Sequence, residues 1–269
     1  MPSKRPIGVF DSGIGGLSIL KALRAELPHE SFVYIADSGN APYGEKGDAF
    51  VIERSRAIAR TLLKDYGVKA LVVACNTATA AAVTLLRSEF PDLPLVGVEP
   101  ALKPALRLSQ TRKIGVIATR GTLESAKFAA LKASLADQAE FVIQPCDGLA
   151  SAIEDQNATN IIALLATYMP AMGQFGTKNG MIDTLVLGCT HYPFINPMLR
   201  QYTGDSVHLI DTGIPVAAHT KRILANLHQL TDEKQFGQLR LLSTGPTQHH
   251  TLLAHEWLKV PNQFEVITI

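Results

Sequence analysis

The chain carries no run of charge of one sign, and 25 basic against 24 acidic residues leave a net charge of only +1. Nothing in that balance calls for nucleic acid or an anionic membrane surface as a partner. No apolar run approaches the length of a membrane span, since even Ile161 to Met172 is interrupted by Thr167, Tyr168 and Pro170. The apolar stretch between Pro6 and Asp11 is too short for the core of a secretion signal, so a cytoplasmic protein is expected. Cysteine is scarce: Cys75, Cys146 and Cys189 are odd in number and lack the close pairs of a zinc site. Free thiols in a reducing compartment follow, with no metal.

An intact cofactor loop is missing too. Gly13-Ile-Gly15 would need glycine or alanine at position 18 to complete a dinucleotide fingerprint, and Ser18 stands there. Asp11-Ser12 crowd the turn where phosphate would sit, although Asp37 occupies the place of a ribose-binding acid. There is no phosphate-binding P-loop, and no lysine stands in a context that suggests a Schiff base. No cofactor is expected.

With 46% hydrophobic residues in a chain of 269, there is enough material for two modest domains. Short β-branched runs alternate with amphipathic stretches, which predicts mostly parallel sheets. Ile7-Gly-Val-Phe10 precedes Asp11, Phe32 to Ala36 precedes Asp37, Leu71 to Ala74 precedes Cys75, and Leu95 to Val98 precedes Glu99. The same order recurs at Ile114-Gly-Val-Ile117, Phe141 to Ile143 before Asp147, Thr184 to Gly188 before Cys189, and Val207 to Ile210 before Asp211. The offsets all lie between 107 and 114 residues. This pattern predicts an α/β fold of two similar Rossmann-like domains related by pseudo-twofold duplication, 1–98 plus 211–269 and 99–210, with the active site in the cleft between them. The tail, with Leu239 to Leu242, a helix to Leu258 and Phe264 to Ile267, is expected to return to the first domain. Pro170 should cut a helix, and Gly173 to Gly180 should be a loop.

Cysteine is often a small buried hydrophobe, so either thiol alone reads equally well as structural. The pair changes that reading. Both Cys75 and Cys189 end an apolar strand and precede polar residues, Asn76-Thr77 and Thr190-His191, where a helix N-terminus would favour a thiolate. Cys146 lacks such surroundings and keeps the structural reading. His191 is placed to act on Cys189, and Asp11 could serve Cys75 in the same way or merely cap a helix.

These residues resemble a known family. Gly8-Val-Phe-Asp-Ser-Gly-Ile-Gly-Gly-Leu17, Pro42-Tyr-Gly44, Ala74-Cys-Asn-Thr-Ala78, Val116-Ile-Ala-Thr119 and Leu187-Gly-Cys-Thr-His-Tyr-Pro193 are similar to the signatures of glutamate racemases, within the cofactor-independent Asp/Glu racemases. The resemblance implies that Cys75 and Cys189 exchange protons with the substrate Cα, assisted by Asp11 and His191, with Glu154 and Asp37 as further active-site acids. It implies substrate contacts from Asp11, Ser12, Asp37, Pro42, Tyr43, Gly44, Asn76, Thr77, Thr119, Thr122, Thr190 and His191. The substrate would be glutamate and the product would feed peptidoglycan synthesis. No nucleic acid or membrane is involved, and a homodimer is compatible with the family. Ala36-Asp-Ser-Gly-Asn-Ala41 and Phe128 depart from the family's usual residues, and little of the tail after Leu230 takes part. Only six residues precede Ile7, so regulation through a longer N-terminal extension, as in some members, is not expected. The rivals are a racemase for aspartate or another acidic amino acid, a non-catalytic amino-acid-binding protein, and a dinucleotide oxidoreductase.

Overall fold

The computed structural model describes residues 3–269, which divide into two compact units. The chain begins with β1 (Ile7–Asp11), α1 (Leu17–Glu26), β2 (Phe32–Ala36), two 3-10 turns (Ser38–Asn40 and Tyr43–Glu45), α2 (Asp48–Tyr66), β3 (Ala70–Val73), α3 (Asn76–Glu89) and β4 (Leu95–Gly97). Next come α4 (Leu102–Leu108), β5 (Lys113–Ala118), α5 (Arg120–Leu123), α6 (Ala126–Ala133), β6 (Glu140–Pro145), α7 (Leu149–Glu154) and α8 (Ala158–Ala171). They are followed by β7 (Thr184–Gly188), a 3-10 turn (Tyr192–Ile195), α9 (Asn196–Thr203) and β8 (His208–Ile210). The last segment holds α10 (Gly213–Asn226), β9 (Leu239–Ser243), α11 (Gln248–Leu258) and β10 (Phe264–Val266). One unit combines the segment ending at Val98 with Gly213–Ile269, and the other is Glu99–Thr212. The chain crosses back at the start of α10, two residues after the expected break at Asp211.

Both sheets are wholly parallel, ordered β10-β9-β2-β1-β3-β4 and β6-β5-β7-β8. Strands β1 to β4 and β5 to β8 therefore share one order. The register repeats as well: Ile7 lies opposite Phe32 and Ala70, and Ile114 lies opposite Phe141 and Thr184. The duplication legible in sequence is thus a duplication of topology. Strands β1, β2, β3 and β7 are buried along their whole length, because a parallel sheet covered on both faces leaves no strand position for water. In each sheet two neighbouring strands lead on in opposite directions, β1 to β2 and β3 to β4, and β5 to β6 and β7 to β8. The crevice this opens lies at the carboxyl ends of β1 and β3, and likewise of β5 and β7.

The tail completes the first sheet, with β9 pairing along β2 and β10 along β9. A buried ion pair fastens it. Lys69 Nζ meets Glu30 Oε2 at 2.6 Å and donates to the carbonyl of Gln229, while Glu30 Oε1 accepts from the Thr231 amide. In the second unit, buried Asp183 accepts from Ser109 Oγ, the amides of Gln110 and Thr111, and Thr184 Oγ1. Burial opposes its charge, yet those donors hold its carboxyl below the ordinary range.

The expected interruption at Pro170 takes a different form. Helix α8 runs through it and ends one residue later, at Ala171, with Gly173 at φ +102° beyond. A proline in the last turn marks the helix end without dividing the helix. No helix among the described residues is long and apolar enough to cross a membrane.

Candidate active site

Cys75 caps α3. Its backbone is extended (φ −118°, ψ 124°) and its Sγ accepts from the Ala78 amide at 3.4 Å. The helix therefore begins at Asn76, and the positive N-terminal end of a fourteen-residue helix faces the sulfur. Ser12 Oγ lies 3.6 Å from Sγ, and Asp11 Oδ1 accepts from both the Ser12 amide (2.6 Å) and its hydroxyl (3.1 Å). Asp11 thus reaches the thiol through Ser12. The residue just before α1 is Gly16, which brings no side-chain cap of its own. Gly16 is required here for space: a Cβ would stand 2.7 Å from Asp11 Cβ and 2.9 Å from the Tyr34 hydroxyl, which itself donates to the Gly13 carbonyl. Beside the thiol, the Asn76 side chain is buried, and neither its Nδ2 nor its Oδ1 meets a partner among the described residues. A buried amide left open on both atoms is rare, and a polar ligand beside Cys75 would satisfy it.

Cys189 is held differently. Gly188, just before it, brings β7 so close to β5 that a Cβ would meet Ala118 Cβ at 2.8 Å and the Ile117 carbonyl at 3.0 Å. After it comes a four-residue 3-10 turn containing Pro193, not an α-helix, so the expected helix N-terminus is absent at this thiol. A histidine stands in its place. His191 Nδ1 lies 3.7 Å from Cys189 Sγ, and Nε2 lies 2.5 Å from Glu154 Oε2 at the end of α7. The ring is buried, which disfavours its charge, but Cys189 and Glu154 outweigh burial and raise it well above the ordinary imidazole value. Protonated, the ring can donate to Cys189 from Nδ1 and to Glu154 from Nε2. Each thiol therefore has a source of positive potential, a helix terminus for one and a cation for the other.

Thr119 and Thr122 place their hydroxyls 2.9 Å apart at the carboxyl end of β5, and Thr77 and Thr190 are buried beside the two cysteines. Cys146 is buried with its thiol turned to the Gln144 carbonyl. Burial foremost, then the neighbouring Cys189 and Asp147, raises it well above the ordinary thiol range. It is a poor nucleophile and fits the structural reading.

The model of the Asp/Glu/hydantoin racemase family matches residues 17–222. This chain belongs to that family. A curated glutamate racemase of Stutzerimonas stutzeri is 50% identical over 227 residues, covering 84% of each chain. The crystal structure of a glutamate racemase isoform from Bacillus anthracis superposes with a TM-score of 0.86 at 30% identity, covering 98% of this chain and 97% of that one. The Francisella tularensis glutamate racemase, solved in complex with D-glutamate, gives 0.83 at 28% identity over 98% of each chain.

Within this racemase-family chain, Asp37 has a setting the sequence did not disclose. It is fully buried, and its carboxylate accepts from Tyr43 Oη (2.5 Å), Arg54 Nε and Nη2 (2.9 and 2.8 Å), Asn40 Nδ2 (3.1 Å) and Thr244 Oγ1 (2.8 Å). Both oxygens are engaged, so a ribose or a substrate would have to displace these donors. Arg54 and Thr244 were not singled out by sequence reasoning. One sits mid-helix and the other in the tail, and neither has a local motif.

Proposed function

We propose that this chain interconverts L- and D-glutamate by moving the Cα proton between Cys75 and Cys189. The observation that carries the reading is the matched pair of strand-end thiols, one capping α3 beside the open amide of Asn76, the other on the His191–Glu154 pair. Racemisation removes a proton from one face of Cα and returns one to the other. One thiolate accepts while the other thiol donates, and the roles exchange in reverse, so the resting pair holds one proton between two sulfurs. When Cys189 carries the negative charge, the imidazolium of His191 balances it. When Cys75 does, the α3 terminus and Ser12, oriented by Asp11, take that part.

A Cα proton is far less acidic than a thiol, and no ring here delocalises the carbanion. Asn76, Thr77 and Thr190 therefore act as donors around the substrate carboxylate, where water is excluded. Ser12, Pro42, Tyr43, Gly44, Thr119 and Thr122 are the further proposed contacts. Curated relatives carrying the name glutamate racemase favour glutamate over aspartate. The enzyme would act in the cytoplasm and supply D-glutamate for peptidoglycan.

A chiral assay of purified, dialysed protein on L- and D-glutamate tests this reading. Racemisation of both enantiomers with no addition is expected, with aspartate turned over far more slowly. Activity that disappears on dialysis and returns with pyridoxal phosphate or a nucleotide would contradict it, as would a preference for aspartate.

A further inference from the structure

Resting on that reading, we infer that Arg54, Asp37 and Thr244 form a positioning latch that holds Tyr43, and with it the Pro42–Gly44 turn, beside Cys75. Four observations combine. The Tyr43 ring is buried in the same apolar cluster as Cys75 and Ala78 at the start of α3, close enough for charge on Cys75 to act on the phenol. Its hydroxyl, the one polar handle on that ring, ends on Asp37 Oδ2. Asp37 is fixed from α2 by the two-pronged contact of Arg54, and from the tail by Thr244 Oγ1. Thr244 also accepts from the Gly39 amide at 3.1 Å, and a Cβ at Gly39 would stand 2.6 Å from the Thr244 carbonyl, so the two loops touch backbone to backbone.

The chemistry of the latch is one-directional. Burial foremost, then the carboxylate of Asp37, pushes the Tyr43 phenol far above its ordinary range, so it remains a donor. An anion as deeply buried as Asp37 is tolerated because Arg54 neutralises it with a planar fork. Arg54 Nη1 also donates to the Ile269 carbonyl at 2.9 Å, so a second tail residue meets the same guanidinium. Asp37 is in this view a positioning residue acting through Tyr43, and the tail, which lies outside the cysteine motifs, sets the turn that lines one thiol.

The test compares alkylation rates of the three cysteines by iodoacetamide, read by mass spectrometry, with steady-state kinetics on glutamate. Thr244→Val removes the hydroxyl and keeps the shape, whereas Thr244→Ser restores it. The valine variant is expected to raise the Cys75 rate about tenfold relative to Cys189 in the same molecules, the scale of one lost charged hydrogen bond. Its kcat/KM should fall by a similar factor, mostly through KM, and the serine variant should match the parent on both readouts. Arg54→Lys, which keeps the charge and loses the fork, should move both in the same direction should the valine variant not fold. Unchanged Cys75 alkylation and kcat/KM in a folded Thr244→Val or Arg54→Lys protein would overturn the latch. So would an equal rise at Cys75, Cys146 and Cys189, which reports general loosening. The thiol readout stands even if the parent protein racemises no glutamate, so failure of the latch and failure of the functional reading are separable.

Discussion

Cys75→Ser and Cys189→Ser should each lose at least about a thousandfold in kcat in both directions, because general acid and general base contributions of about 10² to 10⁴ each are removed from a reaction that uses both groups every turnover. A serine hydroxyl keeps the geometry but is too weak an acid to supply the base. Glutamate binding should survive in both variants, since the proposed carboxylate donors Asn76, Thr77 and Thr190 are untouched. Cys146→Ser, a change at a buried thiol bonded to a backbone carbonyl, should leave kcat within a fewfold of the parent. Steady-state rates on each enantiomer and calorimetric binding check all three, and near-normal racemisation by either active-site variant would remove the two-thiol assignment.

The second large effect is expected at Glu154. This carboxylate holds His191 as an imidazolium inside the second unit, and Glu154→Gln leaves that ring with an amide in place of its counter-charge. We expect kcat to fall about a hundredfold and the protein to lose about 3 kcal/mol of stability, the scale for breaking one side of a buried charge pair. The pH dependence gives the sign. A ring whose folded value is raised contributes stability fully below the ordinary imidazole value of about 6.5, and loses it as pH climbs through the folded value. The parent should therefore lose this contribution only on the alkaline side. In Glu154→Gln the alkaline limb of both stability and kcat/KM should move toward lower pH. His191→Asn should remove that limb's dependence on the ring altogether. Thermal unfolding and kcat/KM measured across neutral to alkaline pH decide the matter, and a profile unchanged in Glu154→Gln would separate His191 from Cys189 chemistry.

Much of the architecture is legible in the sequence because parallel strands buried on both faces are continuous apolar runs, and because each of β1 to β8 is followed within two residues by an acid, a hydroxyl or a thiol. Ile7-Gly-Val-Phe10 and Ile114-Gly-Val-Ile117 could be matched for that reason, and they prove to be the central strands β1 and β5 of their sheets. Local rules reached their limit at the two cysteines. A helix start after Cys75 follows from small polar residues without proline, and α3 forms there. The same rule fails after Cys189, where Pro193 and Pro197 permit only a 3-10 turn before α9, so the site relies on His191 instead. The Asp37 network was illegible for another reason: its donors Arg54 and Thr244 lie 17 and 207 residues away. Contacts of that kind leave no period or spacing to read.

The most direct test of two opposed thiols follows the Cα hydrogen itself. L-glutamate is converted in deuterated solvent and both enantiomers are analysed early, before the reverse reaction contributes. With one thiolate taking the protium and a solvent-exchanged thiol delivering from the other face, nearly every D-glutamate molecule formed carries deuterium at Cα, and the remaining L-glutamate stays unlabelled. Original protium carried into the product, or deuterium appearing in recovered L-glutamate, would show a single base serving both faces and would contradict the account.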